Sequence, residues 1–161
     1  MAKRKQAKRD DAMGQPKDAI AMLKEDHRRV RDLFQEYEAA GDPRVKRELA
    51  EEACTELEIH TELEEQIFYP TVNEETEDGP ELVKESLEEH ETMKNLIQEL
   101  RDMGSDNEAF DAKFKELIQN VEHHVEEEEN EMFLMAEEEL EEDMTKLMEE
   151  MQELKQEIMA S

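Results

Sequence analysis

HTELEEQIFYP at residues 60–70 and HVEEEENEMFL at residues 124–134 are two versions of one pattern, 64 residues apart. Each opens on a histidine with a glutamate four residues later, His60/Glu64 and His124/Glu128, and each closes on bulky apolar residues, Phe68-Tyr69 and Met132-Phe133. On a helix, residues i and i+4 share a face, so each histidine and its glutamate project together. Upstream, Leu49, Ala53 and Leu57, then Ile67, form one apolar stripe, and Phe110, Leu117 and Val121, then Met132, form the other. His60, Glu64, His124 and Glu128 therefore occupy places where a core-facing stripe calls for apolar side chains.

The segments ahead of these two helices repeat as well. Ile20, Leu23, Val30, Phe34 and Tyr37 make a helical stripe with one vacancy, filled by His27; Val83, Leu87, Ile97 and Leu100 bracket His90. A shift of 63 residues lays His27 on His90, Glu25-Asp26 on Glu88-Glu89 and Leu33-Phe34 on Leu96-Ile97, and the shift of 64 lays Glu64-Glu65 on Glu128-Glu129. Each half reads as a helix with one inward histidine followed by a helix with inward His-x-x-x-Glu.

Turn residues divide the chain accordingly. Pro16 opens a helix over 17–39 that Gly41 closes, and Asp42-Pro43 pairs an N-cap with proline at the first helical position. The second helix is expected to run to Tyr69, stop at Pro70 and give way to a polar loop over 71–79. Gly79-Pro80 starts a third helix reaching Met103, Gly104-Ser105-Asp106 supplies a stop and a new cap, and a fourth helix reaches about Met135. A fifth segment over 137–159 carries Leu140, Met144, Leu147, Met151, Leu154 and Ile158 in heptad spacing. It suits either a dimerising helix or one laid on the bundle, and the second is favoured because barely three heptads make a marginal isolated coiled coil. The expected fold is all-α: an antiparallel up-down four-helix bundle over 17–135 with an additional C-terminal amphipathic helix over 136–161, preceded by a basic arm over 1–16.

Composition agrees and narrows the function. Among 161 residues there are 4 glycines and 4 prolines, too few for a turn-rich β-sandwich. The single cysteine excludes a disulfide framework or a multi-thiolate zinc site within the chain. The net charge of −28 makes nucleic acid and anionic membrane poor partners for the body, whatever the arm with Lys3, Arg4, Lys5, Lys8 and Arg9 does. No apolar run approaches the roughly 20 residues of a membrane span, and no apolar stretch follows the basic start as in a signal peptide, so the expected compartment is the cytoplasm.

Four histidines and two glutamates in one core are costly without a cation. An ionised carboxylate buried alone costs several kcal/mol or more, and a pair of divalent metals shared by both carboxylates removes that cost. The nitrogen and oxygen donor set, without thiolate, suits iron or manganese, with zinc admissible. A ferritin-like Glu-x-x-His pattern is missing, and His90-Glu-Thr-Met-Lys94 begins like a zincin motif without its second histidine.

Glu-Asp-His27 with Leu33-Phe34, HTELEEQIFYP, Glu-Glu-His90, and His123-His124 through Phe133 together resemble the hemerythrin-like, or HHE cation-binding, family over about residues 17–135. The resemblance implies a bundle holding two non-heme iron ions, His27 and His60 on one, His90 and His124 on the other, with Glu64 and Glu128 bridging. It implies reaction with O2, peroxide or a similar small molecule; iron buffering, redox sensing through a partner, or a vestigial site are the alternatives. Oxygen-carrying members have a further histidine one turn after the third, where this chain has Lys94, whose ammonium has no lone pair. The expectation is that residue 94 lies on or near the metal-facing side and leaves one position open, with Glu91 and His123 as weaker substitutes. Tyr37 and Tyr69 are read as packing residues that could donate a hydrogen bond, and Cys54 as a buried, inert thiol.

Overall fold

Asp18 accepts the backbone N–H of Ala21 at 2.9 Å and caps α1, Ala19–Ala39. Asp42 does the same for Arg44, with Pro43 behind it, and starts α2, Pro43–Leu63. The computed structural model describes residues 16–104 and 108–161, so most of the basic arm and the Ser105-Asp106 cap lie outside the described residues. Five helical rods follow one another. The second is α2, a π turn over Glu64–Phe68, and α3, Tyr69–Glu75. The third is α4, Gly79–Asp102. The fourth is α5, Ala109–Glu127, a second π turn over Glu128–Met132, and α6, Phe133–Glu139. After a short 3-10 turn, Glu141–Asp143, the fifth rod is α7, Met144–Ala160. No helix among the described residues is long and apolar enough to cross a membrane.

Two boundaries differ from the sequence reading. The second rod does not stop at Pro70; it runs on to Glu75, and only Thr76–Asp78 separate it from α4. In an unbroken α-helix Pro70 would collide with the carbonyl four residues back. Here the Tyr69 N–H reaches the carbonyl of Glu64, five residues back, and Pro70 falls in the first turn of the resumed helix, where no N–H is required. The fourth rod also runs further than expected, to Glu139, and the fifth starts at Met144 rather than 137. Its π turn forms without a proline, closed by Phe133 N–H to the Glu128 carbonyl. What the two π turns share is the glutamate at which each begins.

The core falls into two apolar clusters. One joins Phe34, Tyr37, Leu57, Ile97, Phe114 and Val121 with their neighbours; the other joins Leu23, Leu63, Phe68, Val83, Phe133 and Met151 with theirs. The histidines and glutamates lie buried between the two. Leu87, expected in the α4 stripe, is exposed, and Ser86 and Met93 face the interior instead. Helix α7 lies along the bundle rather than standing apart: Leu140, Met144, Leu147 and Met151 are buried in the second cluster, and Lys155 reaches within 3.8 Å of Asp26 on α1.

Met151 is fully buried. Met151→Ala should lower the unfolding free energy by about 2–5 kcal/mol, the usual cost of truncating a core methionine. Urea unfolding of the variant checks this, and an unchanged midpoint would show that α7 does not hold to the bundle in solution.

Candidate metal centre

His27 comes from α1, His60 from α2, His90 from α4 and His124 from α5, all buried. Glu64 and Glu128 sit at the first positions of the two π turns and are also buried. The structure brings all six residues singled out in the sequence to one place. The Nε2 atoms of His27 and His60 are 3.1 Å apart, and those of His90 and His124 are 3.3 Å apart. Each carboxylate spans the two histidine pairs. Glu64 places Oε2 3.1 Å from His60 Nε2 and Oε1 3.0 Å from His90 Nε2; Glu128 places Oε1 3.2 Å from His27 Nε2 and Oε2 3.6 Å from His124 Nε2. Two overlapping donor groups result: His27, His60, Glu64 and Glu128, and Glu64, His90 and His124.

The other ring nitrogens explain why the Nε2 atoms face inward. His27 Nδ1 lies 2.7 Å from Glu129, His60 Nδ1 2.9 Å from Asp26, His90 Nδ1 2.7 Å from Glu65 and His124 Nδ1 2.6 Å from Glu89. A carboxylate accepts and cannot donate, so each Nδ1 carries a proton, and with a cation bound each ring, then neutral, would turn its Nε2 lone pair to the centre. These four carboxylates were not assigned from the sequence. The signal was present, because the repeat superposes Asp26 on Glu89 and Glu65 on Glu129. Two of the four cross between the halves, Glu65 following Glu64 but holding His90 and Glu129 following Glu128 but holding His27, whereas Asp26 and Glu89 hold His60 and His124 of their own halves.

The arrangement calls for positive charge. Four ring nitrogens converge on two ionised carboxylates, and Glu64 Oε2 and Glu128 Oε1 are buried, their contacts with His60 and His27 Nε2 not aligned as hydrogen bonds. Burial, and for Glu128 the charge of Glu64, opposes ionisation, but the facing imidazoles hold both carboxyls below the usual range. Burial likewise opposes charge on His60, yet Glu64 and Asp26 push its imidazole up to about 10. His27, His90 and His124 are raised in the same way, their carboxylates outweighing burial. The donor set therefore fits divalent cations, which would take the place of those extra protons.

Tyr69 contributes a further oxygen. The π turn bonds residue i to i+5 and so swings Tyr69 onto the face that carries Glu64. Its hydroxyl donates to Glu128 Oε2 at 2.5 Å and lies 3.1 Å from Glu64 Oε1, 3.2 Å from His90 Nε2 and 3.5 Å from His124 Nε2. Tyr37 is elsewhere, donating to Asp111 at 2.9 Å. Burial pushes the Cys54 thiol up to about 12, which keeps it protonated and unreactive.

Lys94 departs from the sequence reading. It is half-exposed and turns to Glu65, an acidic partner outside the ring, with Nζ 2.9 Å from Oε1. Glu91 is exposed on α4. His123 is 65% exposed and pairs with Glu127 at 3.0 Å; one residue of rotation away from His124 points it outward.

Comparison with known proteins agrees with this geometry. A stretch of 112 residues is 28% identical to a DNA nickase of Nostoc sp., covering 70% of this chain and 31% of that protein. A stretch of 105 residues is 26% identical to an uncharacterized hemerythrin-like protein of Schizosaccharomyces pombe, covering 65% of this chain and 52% of that one. The chain thus spans under a third of one of these relatives and about half of the other. Among solved structures, a hemerythrin HHE cation binding domain-containing protein of Mycobacterium kansasii shares the fold with a TM-score of 0.74 at 21% identity, covering 87% of this chain and 86% of that one. The family model of the hemerythrin HHE cation binding domain matches residues 18–136, which hold every histidine and carboxylate of the centre, and the chain belongs to that family.

Proposed function

We propose that the centre holds two iron ions and reacts with O2, peroxide or a molecule of similar size. The observation that carries this reading is a small cavity of about 10 Å³ bordered by all four histidines. Val30, Leu57, Met93, Val121 and Val125 line it together with the imidazoles. That volume suits nothing larger than a single small molecule. A sugar, nucleotide or peptide would not fit.

Iron suits the mixed imidazole and carboxylate donors, and a di-iron pair would supply the electrons that O2 or peroxide reduction needs. The chain's residues do the rest. His27 and His60 would hold one ion and His90 and His124 the other, with Glu64 and Glu128 bridging, as their distances to both histidine pairs support. Asp26, Glu65, Glu89 and Glu129 keep the four Nδ1 protons in place. Tyr69 donates its hydroxyl to Glu128 and keeps a proton beside the centre. The nickase activity of the Nostoc relative is not carried over, since the match covers 31% of that protein and a body of net charge −28 repels a DNA backbone.

Anaerobic reconstitution followed by metal analysis should give about two irons per chain, and rapid mixing of the reduced protein with O2 and H2O2 should change its visible spectrum. A loaded protein inert to both would favour iron buffering. Glu64→Ala and Glu128→Ala should each lower occupancy of both positions, because each carboxylate serves both pairs. If either substitution empties one position and leaves the other full, the bridging assignment is wrong.

Metal should also stabilise the fold. At a free concentration about 100 times Kd, binding adds about 2.7 kcal/mol. His60→Leu should abolish uptake at that position and lower the stability of the metal-free protein further, since it leaves Glu64 and Asp26 buried without their imidazole partner. Equal melting temperatures with and without saturating iron would instead indicate a site that no longer binds.

A further inference from the structure

Lys94 Nζ and His90 Nδ1 take the two oxygens of one carboxylate, Glu65: Nζ is 2.9 Å from Oε1 and Nδ1 is 2.7 Å from Oε2. The histidine and the lysine are one turn apart on α4, and the carboxylate comes from the π turn of the other half. The repeat places Arg31 one turn after His27 in the same way, and Glu129, which holds His27, feels the charge of Arg31.

We propose that Lys94 is a positioning residue of the metal centre, which through Glu65 fixes the plane of the His90 ring and limits how strongly that ring donates to its metal. The proposal rests on the reading of the cluster as a metal centre. The physics is a two-step hydrogen-bond chain. A carboxylate that accepts from Nδ1–H makes the imidazole a stronger donor at Nε2. An ammonium on the other oxygen draws negative charge away from that bond and weakens the effect. Two anchors also fix a carboxylate that one alone would leave free to rotate. Arg31 supplies the charge in the other half without a close ion pair to Glu129 among the described residues, so the two metals would sit in unequal surroundings. An ordinary exposed ion pair contributes little and would leave the imidazole unchanged.

Zinc-loaded protein, which is diamagnetic, allows the imidazole N–H protons to be read directly by NMR with 15N-labelled histidine. The His90 resonance is assigned by its loss or large shift in Glu65→Gln, which should also weaken zinc binding about 10-fold or more. In Lys94→Gln the His90 Nδ1–H resonance should move downfield as Glu65 becomes a stronger acceptor, while that of His60, held by Asp26, stays in place. Lys94→Arg should restore the wild-type position. In iron-loaded protein Lys94→Gln should lower the reduction potential, and the same substitution in the Glu65→Gln background should have a smaller effect. An unmoved His90 resonance, equal movement of all four, or failure of Lys94→Arg to restore it would overturn the proposal while leaving the metal centre intact. If the wild-type protein takes up neither zinc nor iron, the metal-centre reading fails and this proposal with it.

Discussion

Two carboxylates buried at mid-height in a helical bundle dominate the energetics of this protein. Glu64 and Glu128 have almost no exposed surface, and each keeps one oxygen without an aligned hydrogen bond. Charge in such a place is tolerated only where opposite charge meets it. The four histidines answer that demand from inside the ring, and they divide the apolar core into two clusters by doing so. The remaining features of the middle of the bundle serve to keep these six side chains aimed at one another.

The π turns belong to that task. Each begins at a core glutamate, and the extra residue per turn lets neighbours in sequence serve different partners. Glu64 points inward while Glu65 reaches out to His90; Glu128 points inward while Glu129 reaches out to His27. Because these outer carboxylates cross between the halves, neither helical hairpin can complete its own histidines. The internal repeat is thus more than two copies of a motif side by side, since the site exists only when the halves pack together.

Cations are few, and their placement follows the same logic. Arg29 lies against Asp26 at 2.5 Å and Lys155 approaches it at 3.8 Å; Lys94 lies on Glu65 at 2.9 Å. Negative charge that has been drawn inward to orient imidazoles is compensated one layer further out. Helix α7 joins this layer through Lys155, so the C-terminal rod touches both the apolar core and the polar surroundings of His60.

The sequence by itself determined the helices, the repeat and the six inward polar residues, because a 3.6-residue period exposes every polar intrusion into a core stripe, and two coincident intrusions 64 residues apart cannot be accidental. Local patterning also misled where tertiary packing decided the outcome. Pro70 looked like a stop until the π turn gave it a first-turn position, and Leu87 fitted the period of α4 yet faces solvent. Which carboxylate orients which histidine was not legible, since Asp26, Glu65, Glu89 and Glu129 stand among 48 acidic residues; helix packing within each hairpin selects Asp26 and Glu89, and the packing of one hairpin on the other selects Glu65 and Glu129. For the same reason Lys94 was placed beside the metals from its spacing, while its direction was set by a carboxylate on another helix. Periodicity specifies the face a residue occupies; long-range electrostatics, acting after the halves have met, specifies what it touches.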